Sequence, residues 1–247
     1  MTTRIALITG ANKGIGFETA RILGRGGATV LVGARSADLG EKAAAVLCGE
    51  GVDARFVPLD VTDARGVQDA AAWIGAEFGR LDILVNNAAI TTTDAADPAS
   101  SPPPSRVAPE LVRAALETNV VGVVAVTNAM LPLLRRSPAG RIVNVSSNLG
   151  SLTALSAPSL PASLPNLLPY NASKTALNAL TVAYARELAG TPVKVNSVAP
   201  GFCATDLNGH TGHRTPAQGA AVIASVALLD DDGPTGAYLT EDGRNPW

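Results

Sequence analysis

Only two cysteines, Cys48 and Cys203, occur in 247 residues. Two thiols build no disulfide framework, and a chain this long without other extracellular signs points to a reducing compartment. An excess of one charge is also missing: 19 Lys and Arg face 21 Asp and Glu, leaving a net charge of −2. That excludes the broad basic field on which nucleic acid or an anionic membrane surface would dock. The largest basic cluster, Arg135 and Arg136 with Arg141 nearby, reads as a solvated helix end. The apolar run "VVGVVAV" (120–126) is far too short for a membrane span. The opening "MTTRIALITGANKG" has too brief an apolar run for a signal peptide, so a cytoplasmic protein is expected. The triplets Asn144-Val-Ser146 and Asn171-Ala-Ser173 are accordingly read as chance matches to a glycosylation signal. Both histidines fall in "NGHTGH" (208–213), where no third ligand is near, so a loop is expected and no metal.

What is present is apolar residue in quantity, 47% of the chain, arranged in a regular alternation. Short continuous apolar runs at 4–9, 28–33, 53–59, 81–86, 140–147, 193–199 and 236–240 read as strands. Helical patterns fall between them, near 37–48, 64–78, 109–135, 169–189 and 216–229, with another directly after the first strand. Strands without polar alternation, separated by helices, predict an α/β fold: a Rossmann-type doubly wound parallel sheet of about seven strands with helices on both faces. No linker or repeat divides residues 1–247, so one dinucleotide-binding and catalytic domain is expected. Three stretches interrupt the rhythm, at about 91–109, 148–169 and 202–216. The first two follow strands at their carboxyl ends, where open parallel sheets bind ligands, and are read as substrate walls.

"TGANKGIG" (9–16) joins the first strand to the first helix. Gly10, Gly14 and Gly16 permit a tight turn and close approach of a phosphate to free amide groups at a helix amino end. After a buried first strand, this turn predicts a dinucleotide. The second strand ends "VGARS". An enzyme choosing NAD usually has an acid there for the ribose hydroxyls; here stand Ala34 and Arg35, with Asp38 the nearest acid. Arg35 and Lys13 together suit a ribose 2′-phosphate, so the expected cofactor is NADP(H). Asp60 in "LDVTD" has two readings, an acceptor for the adenine amino group or a cap for the following helix.

"LPYNASKTALNAL" (168–180) opens a helix, with Pro169 in its first turn and Asn171 and Ser173 available as caps. Tyr170 and Lys174, four apart, share one face of it. The chain has only three tyrosines and four lysines, so this pair is informative beyond its helix. A free tyrosine has a pKa of about 10. A neighbouring ammonium, with an oxidised nicotinamide adding positive charge, is expected to favour the anion and bring the group toward the range where an acid/base works.

These residues carry a resemblance. "TGANKGIG", "LDVTD", "NNAA", "ETNVVG", "NVSS", "YNASK" and "VAPGFCATDL" come in the order found in short-chain dehydrogenases/reductases, and the match spans essentially the whole chain. Details such as "GAR" and the tail "GPTGAYLTEDGRNPW" resemble the carbonyl reductase branch. The resemblance implies Tyr170 as catalytic acid/base, Lys174 as its ribose-binding partner and Ser147 as the group that hydrogen-bonds the substrate oxygen. Asn119 matches the position that shapes a water link to the lysine. Around the cofactor it implies Gly10, Asn12, Lys13, Gly14, Ile15, Gly16, Arg35, Asp60, Val61, Asn87, Ala88, Lys174, Pro200, Gly201 and Thr205. Two departures stand out. Ala89 replaces the family's usual glycine, and its methyl group is expected to crowd the nicotinamide loop. The gap from Ser147 to Tyr170 is wider than usual but shorter than in the animal carbonyl reductases whose insertion goes with a monomer, which leaves monomer and homo-oligomer both open. The expected activity is NADPH-dependent reduction of a hydrophobic ketone, aldehyde or quinone. The alternatives are an alcohol dehydrogenase acting on a terpenoid or biosynthetic intermediate, and a non-catalytic NADP-binding regulator.

Overall fold

The computed structural model describes residues 3–92, 102–158 and 167–247. Its frame is a single sheet in the order β3-β2-β1-β4-β5-β6-β7-β8. The strands are β1 (Ile5–Thr9), β2 (Thr29–Ala34), β3 (Ala54–Pro58), β4 (Ile83–Asn86), β5 (Arg141–Val145), β6 (Lys194–Val198), β7 (Tyr238–Thr240) and β8 (Gly243–Arg244). All neighbours pair in parallel except β7 and β8, which pair antiparallel. The eighth strand, two exposed residues long, carries no apolar signal, and sequence periodicity did not find it.

The reason the strands read as continuous apolar runs is now visible. Successive side chains point to opposite faces, and both faces are covered. Ala6, Ile8, Val30, Val32, Ile83 and Val85 belong to one buried cluster. Ile5, Leu7, Leu31 and Leu84 belong to the other. Each fully buried Leu or Ile contributes about 1.5–3 kcal/mol relative to exposure, so the alternation is itself the main reason for the register.

The helices are α1 (Gly14–Arg25), α2 (Ala37–Gly49), α3 (Ala64–Phe78), α4 (Pro109–Leu116), α5 (Gly122–Leu134), α6 (Leu152–Leu155), α7 (Leu168–Glu187) and α8 (Pro216–Ala227). A π turn, Glu117–Val121, joins α4 to α5. The combined helix Pro109–Leu134 is long and apolar enough to cross a membrane by length and mean hydropathy. The short run noticed in the sequence understated this, because polar residues interrupt it. Much of the apolar side of α5 lies inside the fold, where Val126, Met130, Leu133 and Leu134 join the second cluster. The basic cluster dissolves likewise: Arg141 is buried and paired with Asp231, Arg135 pairs with Glu187, and Arg136 donates to the Gly79 carbonyl. Asn144 and Asn171 are both buried.

The site follows from topology. Strand order reverses between β1 and β4, and a crevice opens outside the carboxyl ends at such a point. Register pairs Thr9 with Gly33 and Ala34 with Pro58, so Gly10, Arg35 and Leu59 emerge along one edge. Of the three expected loops, residues 93–101 and 159–166 lie outside the described residues. The remainder contains short 3₁₀ turns at Pro104–Arg106, Asn148–Gly150 and Asp206–Asn208, together with α6.

Candidate active site

A cleft of about 770 Å³ lies along that edge. From the sequence-derived set, Gly10, Asn12, Lys13, Gly14, Ile15, Gly16, Arg35, Asp60, Val61, Asn87, Ala88 and Thr205 line it, and so does Ala89. Gly10 and Gly14 hold φ of +65° and +60°, which L side chains rarely adopt. Gly16 is needed for space: a Cβ there would lie 2.5 Å from Asn87 Nδ2 and 2.7 Å from the Gly10 carbonyl. Asn87 Nδ2 donates to the Thr9 carbonyl at 2.8 Å, and Thr9 Oγ1 accepts from the backbone of Asn87 and Ala88. The β4 loop is thereby stapled to the glycine turn. We expect Gly16→Ala to weaken dinucleotide binding about tenfold or more, because Asn87 has to move; cofactor titration by fluorescence checks it.

The cations behave differently from each other. Arg35 is exposed at the cleft. Lys13 also lines the cleft, but its Nζ lies 2.5 Å from Asp206 Oδ2. His210 Nε2 is 2.8 Å from the other oxygen of the same carboxylate. Lys13 thus lines the cleft and also bridges to the 202–216 loop, a partner no sequence spacing reveals. Lys13, then His210, hold the Asp206 carboxyl below its usual range. The histidines serve this loop, with the His213 ring near Phe202.

Asp60 also departs from one of its two readings. The cap of α3 is Asp63, whose side chain accepts from Arg65 N. Asp60 Oδ1 accepts from the Thr62 backbone and hydroxyl at 2.9 and 2.7 Å. Those bonds, with Arg35 adding charge, hold its carboxyl below the usual range. Thr205 lines the cleft, and its Cγ2 sits 3.6 Å from where a Gly14 Cβ would be. Pro200 and Gly201 are not among the cleft's lining residues: Pro200 is buried and Gly201 lies against the Arg214 side chain.

The second part of the site is built on α7. Pro169 occupies the first turn, but neither Asn171 nor Ser173 caps it. Ser173 Oγ instead donates to the Tyr170 carbonyl at 2.7 Å. Lys174 Nζ lies over the Tyr170 ring, 5.5 Å from its centre, and donates to the Val145 carbonyl at 2.7 Å. The end of β5 delivers Ser147 to the same place.

Ser147, Tyr170 and Lys174 do not line the cleft itself. Asn119 connects the two parts. Its amide exchanges two 2.9 Å hydrogen bonds with the Ile90 backbone, on the cleft wall, and gives a third to Ser173 Oγ. Those bonds occupy both amide hydrogens. Asn119 sits inside the π turn, where the change in backbone pairing marks many functional sites.

Electrostatics add a cause that spacing does not show. The sequence suggested that Lys174 would lower Tyr170. Burial pushes the Tyr170 phenol up to about 12, with the Ser147 hydroxyl pulling the other way. The same desolvation pushes Lys174 down to about 7. Lys174 is buried and Tyr170 half-buried, and for each the charged form is the one that desolvation disfavours.

A Gly-rich turn at a strand-order reversal, beside a Tyr and Lys pair and a Ser, defines a dinucleotide-dependent oxidoreductase. A sequence profile of the short chain dehydrogenase family matches residues 4–215. Among curated relatives, "Carbonyl reductase [NADPH] 1" of Sus scrofa is 34% identical, covering 99% of this chain and 94% of that one. "(+)-neomenthol dehydrogenase" of Capsicum annuum is 32% identical, with 96% of each covered. The structure of salutaridine reductase from Papaver somniferum superposes with a TM-score of 0.82 at 31% identity, covering 96% of this chain and 99% of that one. The chain belongs to the short-chain dehydrogenase/reductase family, in its carbonyl reductase-like branch.

Proposed function

We propose that this protein reduces a hydrophobic ketone, aldehyde or quinone to the alcohol with NADPH, Tyr170 giving the proton. The observation that carries this reading is the gathering of Ser147, Tyr170 and Lys174 at the end of β5 and the start of α7. The residues of the cleft fit the cofactor: glycines where a Cβ would collide, an exposed guanidinium at Arg35, and amide groups at the start of α1. Gly10, Gly14 and Gly16 would hold the pyrophosphate, Arg35 the 2′-phosphate and Asp60 the adenine amino group. Lys174 would meet the ribose. The bound nicotinamide supplies the hydride.

Everything else falls to the chain's own groups. Ser147 donates a hydrogen bond to the substrate oxygen and orients the carbonyl. Tyr170, kept neutral by burial, holds its proton at the phenol oxygen until negative charge develops on the substrate. Lys174 anchors to Val145 and keeps its face toward the ring.

The relatives support the reading that this scaffold serves unlike substrates, since one is named for carbonyls, one for neomenthol and one for salutaridine. The test of activity is NADPH absorbance followed against a panel of aryl ketones, aldehydes and quinones. The test of cofactor choice is Arg35→Ala. It is expected to raise the Kd for NADPH about tenfold or more while leaving NADH within about twofold. An unchanged preference would remove Arg35 from the phosphate site.

A further inference from the structure

Residues 243–247 take no part in the chemistry proposed above, yet they are bound to the segment that carries Ser147. After β8 the chain runs back beside β7, where Asn245 N donates to the Tyr238 carbonyl. Trp247 then stacks on Tyr238, with ring centres 5.6 Å apart and planes at 21°. Tyr238 is fully buried, so this stack has a fixed base. From it two hydrogen bonds reach the segment after Ser147. Thr153 N donates to the Trp247 carbonyl at 2.9 Å, and Ser151 Oγ donates to the Pro246 carbonyl at 2.8 Å.

Ser151 is completely buried and its hydroxyl works in both directions, also accepting from Ala154 N at 3.1 Å to cap α6. On its other side the same segment is pressed against α7. A Cβ on Gly150 would lie 2.9 Å from the Lys174 backbone, and the Gly150 carbonyl accepts from Thr175 and Asn178. The segment 148–155 is thus gripped between the catalytic helix and the 243–247 strap. Ser147 is its first fixed point, held by a bond from Leu149 N to its Oγ.

We propose that Trp247 is a positioning residue for the reaction: through Ser151 and Thr153 it keeps Ser147 in register with Tyr170. This rests on the roles given to Ser147 and Tyr170 under Proposed function. Without the stack the strap loses its base, the segment gains freedom on one side, and Ser147 no longer meets the substrate oxygen in a single geometry. The cofactor cleft contains none of these residues, so its affinity stays as it was.

The experiment compares wild type, Trp247→Ala, Trp247→Phe, Ser151→Ala and the double Trp247→Ala, Ser151→Ala variant in kcat and KM for an aryl ketone and a quinone, in NADPH Kd, and in hydrogen exchange of the Thr153 amide. Trp247→Ala is expected to lower kcat about tenfold with NADPH Kd within about twofold, and Trp247→Phe to recover most of the loss. Ser151→Ala is expected to lower kcat similarly, and the double variant to lose no more than the worse single one, since both act on one linkage. The Thr153 amide should exchange at least about tenfold faster in Trp247→Ala. Wild-type turnover in Trp247→Ala overturns the proposal. So does a parallel loss of turnover and NADPH binding, which would make the strap a general element of stability. If wild type itself turns over no carbonyl, the functional reading fails by itself. Exchange at Thr153 then still decides whether the strap holds the segment, and an unchanged rate overturns it.

Discussion

Tyr170→Phe is expected to lower kcat about a thousandfold while leaving the Kd for NADPH within about twofold. The substitution removes one oxygen and leaves the ring under Lys174 Nζ. It leaves the cofactor cleft alone, because Tyr170 is not among its lining residues. A thousandfold loss corresponds to about 4 kcal/mol of barrier, the range for losing a positioned proton donor. The direction of pH dependence follows from the same group. Burial pushes the phenol up to about 12, so at neutral pH it carries the proton that carbonyl reduction needs. Alcohol oxidation needs the phenolate, which becomes scarcer as pH falls. Reduction is therefore expected to hold across neutral pH and decline only in strong alkali, whereas oxidation climbs with pH. Steady-state rates in both directions between pH 6 and 10 check this. A Phe variant retaining a tenth of wild-type kcat would remove Tyr170 from the proton-donor role.

The division between what sequence revealed and what it hid runs along a physical line. Seven strands were legible because the sheet is covered on both faces, which makes strands such as β1 and β2 nearly unbroken apolar runs. The glycine turn was legible because Gly10 and Gly14 require positive φ and Gly16 requires space, and few other residues tolerate either. Tyr170 and Lys174 were legible because helix geometry puts residues four apart on one face. By contrast, β8 is two exposed residues, and nothing in hydropathy marks it. The π turn at Glu117–Val121 inserts itself without disturbing the apolar pattern around it.

The remaining surprises are pairings between distant residues. Lys13 meets Asp206 across 193 positions, and Ser151 meets Pro246 across 95. Local propensity carries no information about either. The cap of α3 shows a subtler case. Asp60 and Asp63 are equally good residues for it, and only the position of the first helical turn selects Asp63. Desolvation at the site is hidden from the sequence for a related reason. Spacing shows that an ammonium lies near a phenol, but not how much solvent both have lost. Desolvation decides the outcome here, and it is a property of the packed fold.

Lys174→Met is expected to lower kcat about a hundredfold and, in the same protein, to change how stability depends on pH. The two effects have one origin. Lys174 is 3% exposed, and burial pushes its amine down to about 7. In the unfolded chain the amine keeps its ordinary pKa of about 10.4. Between those values the unfolded chain binds a proton that the folded chain gives up, so wild-type stability rises with pH across this window. Below about 7 both states are protonated, and the fold bears the whole cost of a buried ammonium. Methionine fills much the same space without that cost, so the variant should melt above wild type at pH 6, with the difference shrinking toward pH 10. The gain is on the order of a few kcal/mol at most, reduced because the Val145 carbonyl loses its partner. Calorimetric melts at pH 6, 8 and 10, paired with kcat at each pH, measure both effects. A melting difference independent of pH would show that Lys174 keeps its ordinary pKa in the fold. A hundredfold loss of turnover accompanied by a rise in stability would mean that this lysine is retained for chemistry at the expense of the fold.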